Sequence, residues 1–154
     1  MEHVFIIVEG ASDVIILQQI LLLLLPADTY QLHFYPAGGY YNALSSVRPI
    51  LDLVPDGSKV LMVFDSDTSN PDKVQERIDY VKEYIGSDSY SSHFDVYTFV
   101  PTIDAVIPEG VELSMIKRTQ REDYNSRIID AVTRHIEEIR KIETISRIVE
   151  FIRQ

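Results

Sequence analysis

The run VLMVFDSDTSN, residues 60–70, decides how the rest of the chain is read. Its first five residues are wholly apolar, as expected of a strand buried on both faces. The run then ends in two carboxylates, Asp65 and Asp67, one residue apart. Carboxylates at the tip of a buried strand resist desolvation unless they are paired or bind a cation. On an extended strand end the two would point to the same side. Hard oxygen donors at that spacing suit Mg²⁺ or Mn²⁺. The bland alternative is a solvated turn with an Asx cap ahead of a helix at Pro71.

Residues 4–13 have the same form. The apolar run FIIV opens directly onto Glu9-Gly10 and then Asp13. Two strands that each end in acid at one edge of a sheet point to a metal site. Glu9 would be a ligand, or a general acid or base whose pKa neighbouring carboxylates raise. Asp13 also fits a structural role, since acid in a first helical turn complements the helix dipole.

Reading outward from these two stretches, strand and helix alternate four times. Residues 3–8 form strand one, and Ser12 is the expected cap of a helix over residues 13–25. Residues 30–35 form strand two, followed by the turn Pro36-Ala37-Gly38-Gly39, where the glycines allow positive φ or close backbone approach. A helix over 40–53 carries Ala43, Leu44, Val47, Ile50 and Leu51 at helical spacing. Strand three covers 60–64. Asn70-Pro71-Asp72 starts a helix that runs to about residue 85. Strand four covers 94–100.

Connections of that length make crossovers, so the pattern predicts a three-layer α/β fold with a four-stranded parallel sheet. In such sheets the site lies beyond the carboxyl ends of the strands. Glu9, Asp65 and Asp67 fall there, with Gly38, Gly39 and Asp104 nearby. Beyond residue 108 the pattern becomes helical only. Residues 124–140 form one expected helix with Ile128, Ile129, Val132, Ile136 and Ile139 as its stripe, and Ile142, Ile145, Ile148, Val149 and Ile152 continue it. The chain divides into an α/β domain, 1–108, and a helical extension, 109–154, packed on the same domain.

Composition narrows the classes. The chain has 154 residues, enough for one domain with a real core. It has no cysteine, which excludes disulfides, thiolate metal sites and a cysteine nucleophile, and which is compatible with the expected cytoplasmic location. The most apolar stretch, residues 14–26, is broken by Gln18 and Gln19 and falls short of the ~20 residues a membrane span requires, so no membrane association is expected. The net charge is −10, unevenly spread. Residues 1–112 hold 5 basic against 17 acidic residues, and residues 113–154 hold 9 against 7. A phosphate-binding surface would have to come from the second part, a partner or bound cations. Lys117, Arg118 and Arg121 are the candidate nucleic-acid contacts there. The alternative for this basic region is a solvated helix face, with acids interleaved, whose apolar stripe packs on the sheet or forms a homodimer seam.

Three motifs together resemble a known family. V-E-G-A-S-D (Val8 to Asp13), a Gly-Gly turn after strand two, and V-F-D-S-D-T (Val63 to Thr68) are similar in order and spacing to the TOPRIM domain. That domain is shared by topoisomerases, DnaG-type primases, recombination proteins and overcoming-lysogenization-defect nucleases. The resemblance covers about residues 3–108 and implies a Rossmann-like TOPRIM fold. It implies Glu9 as acid/base or metal ligand, Asp65 and Asp67 as Mg²⁺ ligands, and Asp13 as an auxiliary acid. Gly10, Gly38, Gly39, Ser69 and Asp104 would be auxiliary. The implied chemistry is metal-dependent cleavage of phosphodiester bonds in DNA or RNA.

Many topoisomerase and primase members have glycine shortly after the second aspartate, where this chain has Thr68-Ser69-Asn70. The chain has no room for a strand-cleaving tyrosine domain and no cysteine for a zinc ribbon. A nuclease of the overcoming-lysogenization-defect type, or a small RNA-maturing TOPRIM enzyme, is the nearer pattern. The alternative of another class is a non-catalytic module docking on a partner such as an ATPase. Phe64 to Thr68 also matches the apolar-D-x-D-x-T motif of haloacid dehalogenase phosphatases. Those proteins usually begin with that strand and later need a lysine and an acidic pair, which nothing downstream resembles.

Overall fold

The computed structural model describes residues 1–108 and 121–154. Four strands, β1 (Glu2–Val8), β2 (Tyr30–Pro36), β3 (Lys59–Asp65) and β4 (Phe94–Phe99), form one sheet in the order β2-β1-β3-β4, all pairs parallel. The helices between them are α1 (Ala11–Leu24), α2 (Tyr40–Leu53) and α3 (Pro71–Ile85). Three more follow in the described C-terminal part: α4 (Arg121–Arg134), α5 (Ile136–Ile139) and α6 (Glu143–Arg153). The architecture is α/β with a Rossmann-like layering.

Alternation along the strands sends side chains to two cores. On one face Val4, Ile6, Val8, Leu61, Val63, Tyr97 and Phe99 pack with Ile16, Leu17, Ile20 and Leu21 of α1, Ile128 and Val132 of α4, and Ile145, Ile148 and Ile152 of α6. On the other, Ile7, Val60, Met62, Phe64 and Phe94 pack with Ala43, Leu44 and Val47 of α2 and Val81 and Ile85 of α3. All five residues from Val60 to Phe64 are buried. Removing each large apolar side chain from water contributes roughly 1.5–3 kcal/mol, which is why so short a run is secure as the centre of the sheet.

The layering positions the site. α1 leaves β1 on one face, whereas α2 and α3 cover the other. The chain therefore reverses direction across the boundary between β1 and β3, and a crevice opens beyond their carboxyl ends.

Three expectations change in detail. Helix α1 begins at Ala11 with Gly10, not Ser12, as its cap residue. The Gly10 N–H donates to Asp13 Oδ2 at 3.1 Å, so the carboxylate three residues on closes the helix start. The long C-terminal helix is broken after Arg134. His135 takes φ −108° and ψ 15°, off the helical path, and Ile142 is extended before α6. Ile128 and Ile129 are 100° apart on a helix and cannot both face the core; Ile128 is buried and Ile129 is exposed. On α1, Leu22 and Leu23 are exposed. The apolar stripe of α4 and α6 is buried against α1 and the sheet within the chain. Among the described residues no helix is long and apolar enough to cross a membrane.

Candidate acidic site at the β1–β3 boundary

The Gly38-Gly39 turn holds Glu9 in place. Both glycine N–H groups donate to the Glu9 carbonyl, at 2.9 and 2.8 Å, and the Ala37 N–H donates to that of Val8 at 2.9 Å. Pointing two successive amides at one oxygen takes φ of +84° and +122°, backbone that only glycine adopts without strain. The turn after β2 therefore pins the chain just past β1.

With its backbone held, the Glu9 side chain reaches across to the neighbouring strand. Its Oε2 accepts the Asp65 N–H at 3.2 Å. Asp65 in turn points toward the segment after β4, where its Oδ1 accepts the Ile103 N–H at 2.8 Å. The two acidic strand tips thus adjoin, each carboxylate tied to a backbone amide from another element.

Asp67 departs from the expected geometry. β3 ends at Asp65, and Asp67 sits at φ +59° with its N–H donated to the Pro101 carbonyl at 2.9 Å. Strand alternation no longer applies there, so Asp65 and Asp67 do not project as a pair from one extended strand end. Ser66, buried between them, donates its hydroxyl to the Thr68 carbonyl at 2.7 Å and tightens the bend. The Asp67 carboxylate turns to Arg77 of α3, with Oδ2 3.6 Å from Nη2. Ser69 is exposed in the same loop. Asp104 lies on the short 3-10 turn Ile103–Val106 and accepts the Thr102 hydroxyl.

The electrostatics show how closely these groups crowd. Burial pushes the Asp65 carboxyl up to about 8, reinforced by Asp13 and Glu9, opposed by the Ile103 N–H, and raised again by Asp67. Burial also raises Glu9; the Asp65 N–H opposes it, Asp67 and Asp13 add to it, and Arg77 opposes it. Asp13 is raised by burial, held back by the Gly10 N–H, and raised by Asp104 and Asp67. Asp104 belongs to the Asp13 side of the cluster. Tyr124 of α4 faces the same side, its hydroxyl raised by burial and then by Asp104 and Asp13.

Such a set can do two things chemically. A carboxyl titrating near 8 carries its proton at neutral pH and can donate it. A divalent cation would reverse that, because it stabilises the ionised form. The donors fit Mg²⁺ or Mn²⁺ in kind, all being carboxylate oxygens. Their present arrangement is less open: Glu9 Oε2 and Asp65 Oδ1 are engaged by amides and Asp67 by Arg77. Among the described residues no group of three or more histidines or acids is arranged to hold a metal ion.

Sequence reasoning missed Ser66, Arg77, Tyr40, Tyr124 and the Ile103 amide. Arg77 and Tyr40 carry no motif signal, although their guanidinium and ring stack at 3.9 Å beside Asp67. Lys117 and Arg118 lie outside the described residues. Arg121 opens α4, and its side chain lies outside them as well. A cavity of about 460 Å³ opens elsewhere, along the outer edge of β4 between α3 and α6, and none of the site acids lines it. No protein-family model matches the chain, and a search of curated proteins finds no match.

Proposed function

We propose that the protein carries out divalent-metal-dependent phosphodiester chemistry on nucleic acid, as a TOPRIM-type nuclease or the catalytic subunit of one. The observation that carries this reading is the contact between Glu9 Oε2 and the Asp65 N–H, which joins two acid-tipped strands at the point where the strand order reverses. Acids concentrated there, against their own repulsion, support a site rather than a fold-stabilising cluster.

Glu9, Asp65 and Asp67 would hold Mg²⁺ or Mn²⁺, with Asp13 behind them. When bound, the ion would polarise a phosphoryl oxygen and generate a nucleophile from water. The chain's own residues account for the rest. The Gly38 and Gly39 amides keep Glu9 at the strand tip, and the Ile103 amide orients Asp65. Glu9, its pKa raised chiefly by burial, can hold or release a proton at its carboxyl group.

The test is cleavage of labelled DNA and RNA with Mg²⁺ or Mn²⁺, comparing wild type with Asp65→Asn, alongside calorimetric titration of Mn²⁺. Cleavage by wild type and its fall to background in the variant are expected. Wild type that neither cuts nor takes up the metal would sink the enzyme reading. One observation favours a second reading, a non-catalytic module docking on a partner such as an ATPase. The described acids are engaged by amides and Arg77 rather than converging as a three-acid grip. The phosphatase alternative has less support, since β3 is flanked by β1 with an acid tip of its own.

A further inference from the structure

The acidic site has no phosphate grip legible in the sequence, but one flank of α3 supplies a candidate. Lys73, Arg77, Tyr80 and Tyr84 recur at steps of four, three and four residues and so form one stripe along the helix. Ile78, Val81 and Ile85 pack toward the sheet, and Asp72, Glu76, Asp79 and Glu83 fall by helical spacing on the opposite flank, so the stripe itself contains no acid.

The stripe begins at the site and runs away from it. The Arg77 guanidinium lies 3.9 Å above the Tyr40 ring and 3.6 Å from the Asp67 carboxylate. Tyr41 meets Tyr40 edge-on at 5.2 Å and is 74% exposed. Tyr80 and Tyr84 follow, their rings 6.3 Å apart and tilted by 35°, 47% and 51% exposed. Two polar atoms at the head of the stripe, Tyr40 Oη and Arg77 Nε, are buried without a hydrogen-bond partner. Leaving such groups unpaired costs about 1–3 kcal/mol each, so the head of the stripe holds hydrogen-bonding capacity that the folded chain leaves unused.

We propose that this stripe is a track for single-stranded nucleic acid, with Arg77 gripping a phosphate beside the acids and Tyr41, Tyr80 and Tyr84 stacking bases. The inference rests on the nuclease reading and names its substrate class as single-stranded. Exposed rings beside cations bind unpaired bases, whose π-faces a duplex keeps stacked inside. At 1.5 Å per residue, Tyr84 stands roughly 10 Å along the helix from Arg77, space for about two or three nucleotides. The chain as a whole is strongly acidic, with a net charge of −10, so it disfavours the dense charge of a duplex. Stacking must then carry the affinity. With two cations in the track, the logarithm of affinity should fall against log salt with a slope of only about −1.4.

The experiment measures fluorescence anisotropy of short labelled oligothymidylate and oligouridylate, and of the oligothymidylate annealed to its complement, with the full chain in EDTA. Binding to single strands, tighter than to duplex and with the shallow salt slope, is expected. Tyr80→Ala and Tyr84→Ala should each weaken it roughly tenfold. Tyr80→Phe should restore it, because the stack needs the ring and not the hydroxyl. Both tyrosines are half-exposed, so the folded state should tolerate either truncation. Equal or tighter duplex binding, or alanine variants that bind like wild type, would overturn the proposal. Single-strand binding without cleavage under any metal would sink the nuclease reading and leave the track standing. Cleavage by tyrosine variants with undiminished binding would do the reverse.

Discussion

β3 begins on a cation and ends on an anion, and the fold treats the two in opposite ways. At the amino end, Lys59 Nζ donates to the carbonyls of Phe151, Ile152 and Gln154 at 2.9, 2.8 and 2.6 Å. Three ammonium protons meet three acceptors at the C-terminus of α6, where the helix dipole also favours positive charge. The aliphatic stem shelters near Phe151, 5.7 Å from ammonium to ring centroid. At the carboxyl end, Asp65 faces Asp13, Glu9 and Asp67, with Arg77 as the cation in reach of the cluster. The same strand therefore carries one charge that is matched and one that is crowded by its own kind. The matched end ties α6 to the sheet. The crowded end has only the Ile103 amide and Arg77 set against its neighbouring acids, and that imbalance singles it out as the candidate site.

The comparison breaks first at Asp65. Its folded pKa, about 8, lies above the ordinary 3.8, so the folded protein binds more protons than the unfolded chain between those values. Stability from this group is therefore present at low pH and lost as pH rises from about 4 to about 8. Glu9 and Asp13 shift in the same sense. Asp65→Asn keeps an acceptor for the Ile103 N–H but removes the charge. It should abolish cleavage while raising the melting temperature at pH 8 and flattening its pH dependence, as calorimetric melts in EDTA would show. A variant that melts lower than wild type at pH 8 would mean that the carboxylates are not in conflict. Mn²⁺ should stabilise wild type more at pH 8 than at pH 5, because it binds the ionised form.

Lys59 offers the converse. Lys59→Met keeps the stem and leaves three carbonyls without their donor, so about 2–3 kcal/mol should be lost in chemical denaturation. The loss should be alike at pH 5 and pH 8, in contrast to Asp65. A change below about 0.5 kcal/mol would show that water replaces the ammonium freely.

The smallest expected effect sharpens the site's scaffold. Gly39 has φ +122° and ψ 167°, and an added Cβ would meet nothing within 4 Å. Gly39→Ala should therefore cost backbone strain alone, about 1–2 kcal/mol. If the turn's role is to hold Glu9, Mn²⁺ affinity should fall as well, even where the protein remains folded. Undiminished metal binding would reduce the turn to a connector.

Much of this was readable along the chain. The apolar run at residues 60–64, the Asn70-Pro71 helix start and the helical spacing from Tyr40 to Leu53 are local signals, and each element forms where they place it. Asn70 Oδ1 does accept the Asp72 and Lys73 amides. Glu9 and Asp65 could be named from the sequence because an apolar run that gives way directly to acid marks where the strand tip falls. Asp67 could be named but not aimed, since its left-handed turn depends on the Pro101 carbonyl from the far side of β4. The glycine pair was recognised as a turn, but its partner, the Glu9 carbonyl, lies about thirty residues earlier.

What the sequence determined by itself was therefore the succession of elements and the two acids at strand ends, because propensity, capping and periodicity act between near neighbours in the chain. Tertiary structure alone decided that β1 lies against β3, that Glu9 reaches the Asp65 amide, and that Arg77 and Tyr40 stand beside Asp67. Those pairings follow from which face of the sheet each helix buries, a choice made by the whole core at once and written in no single stretch of residues.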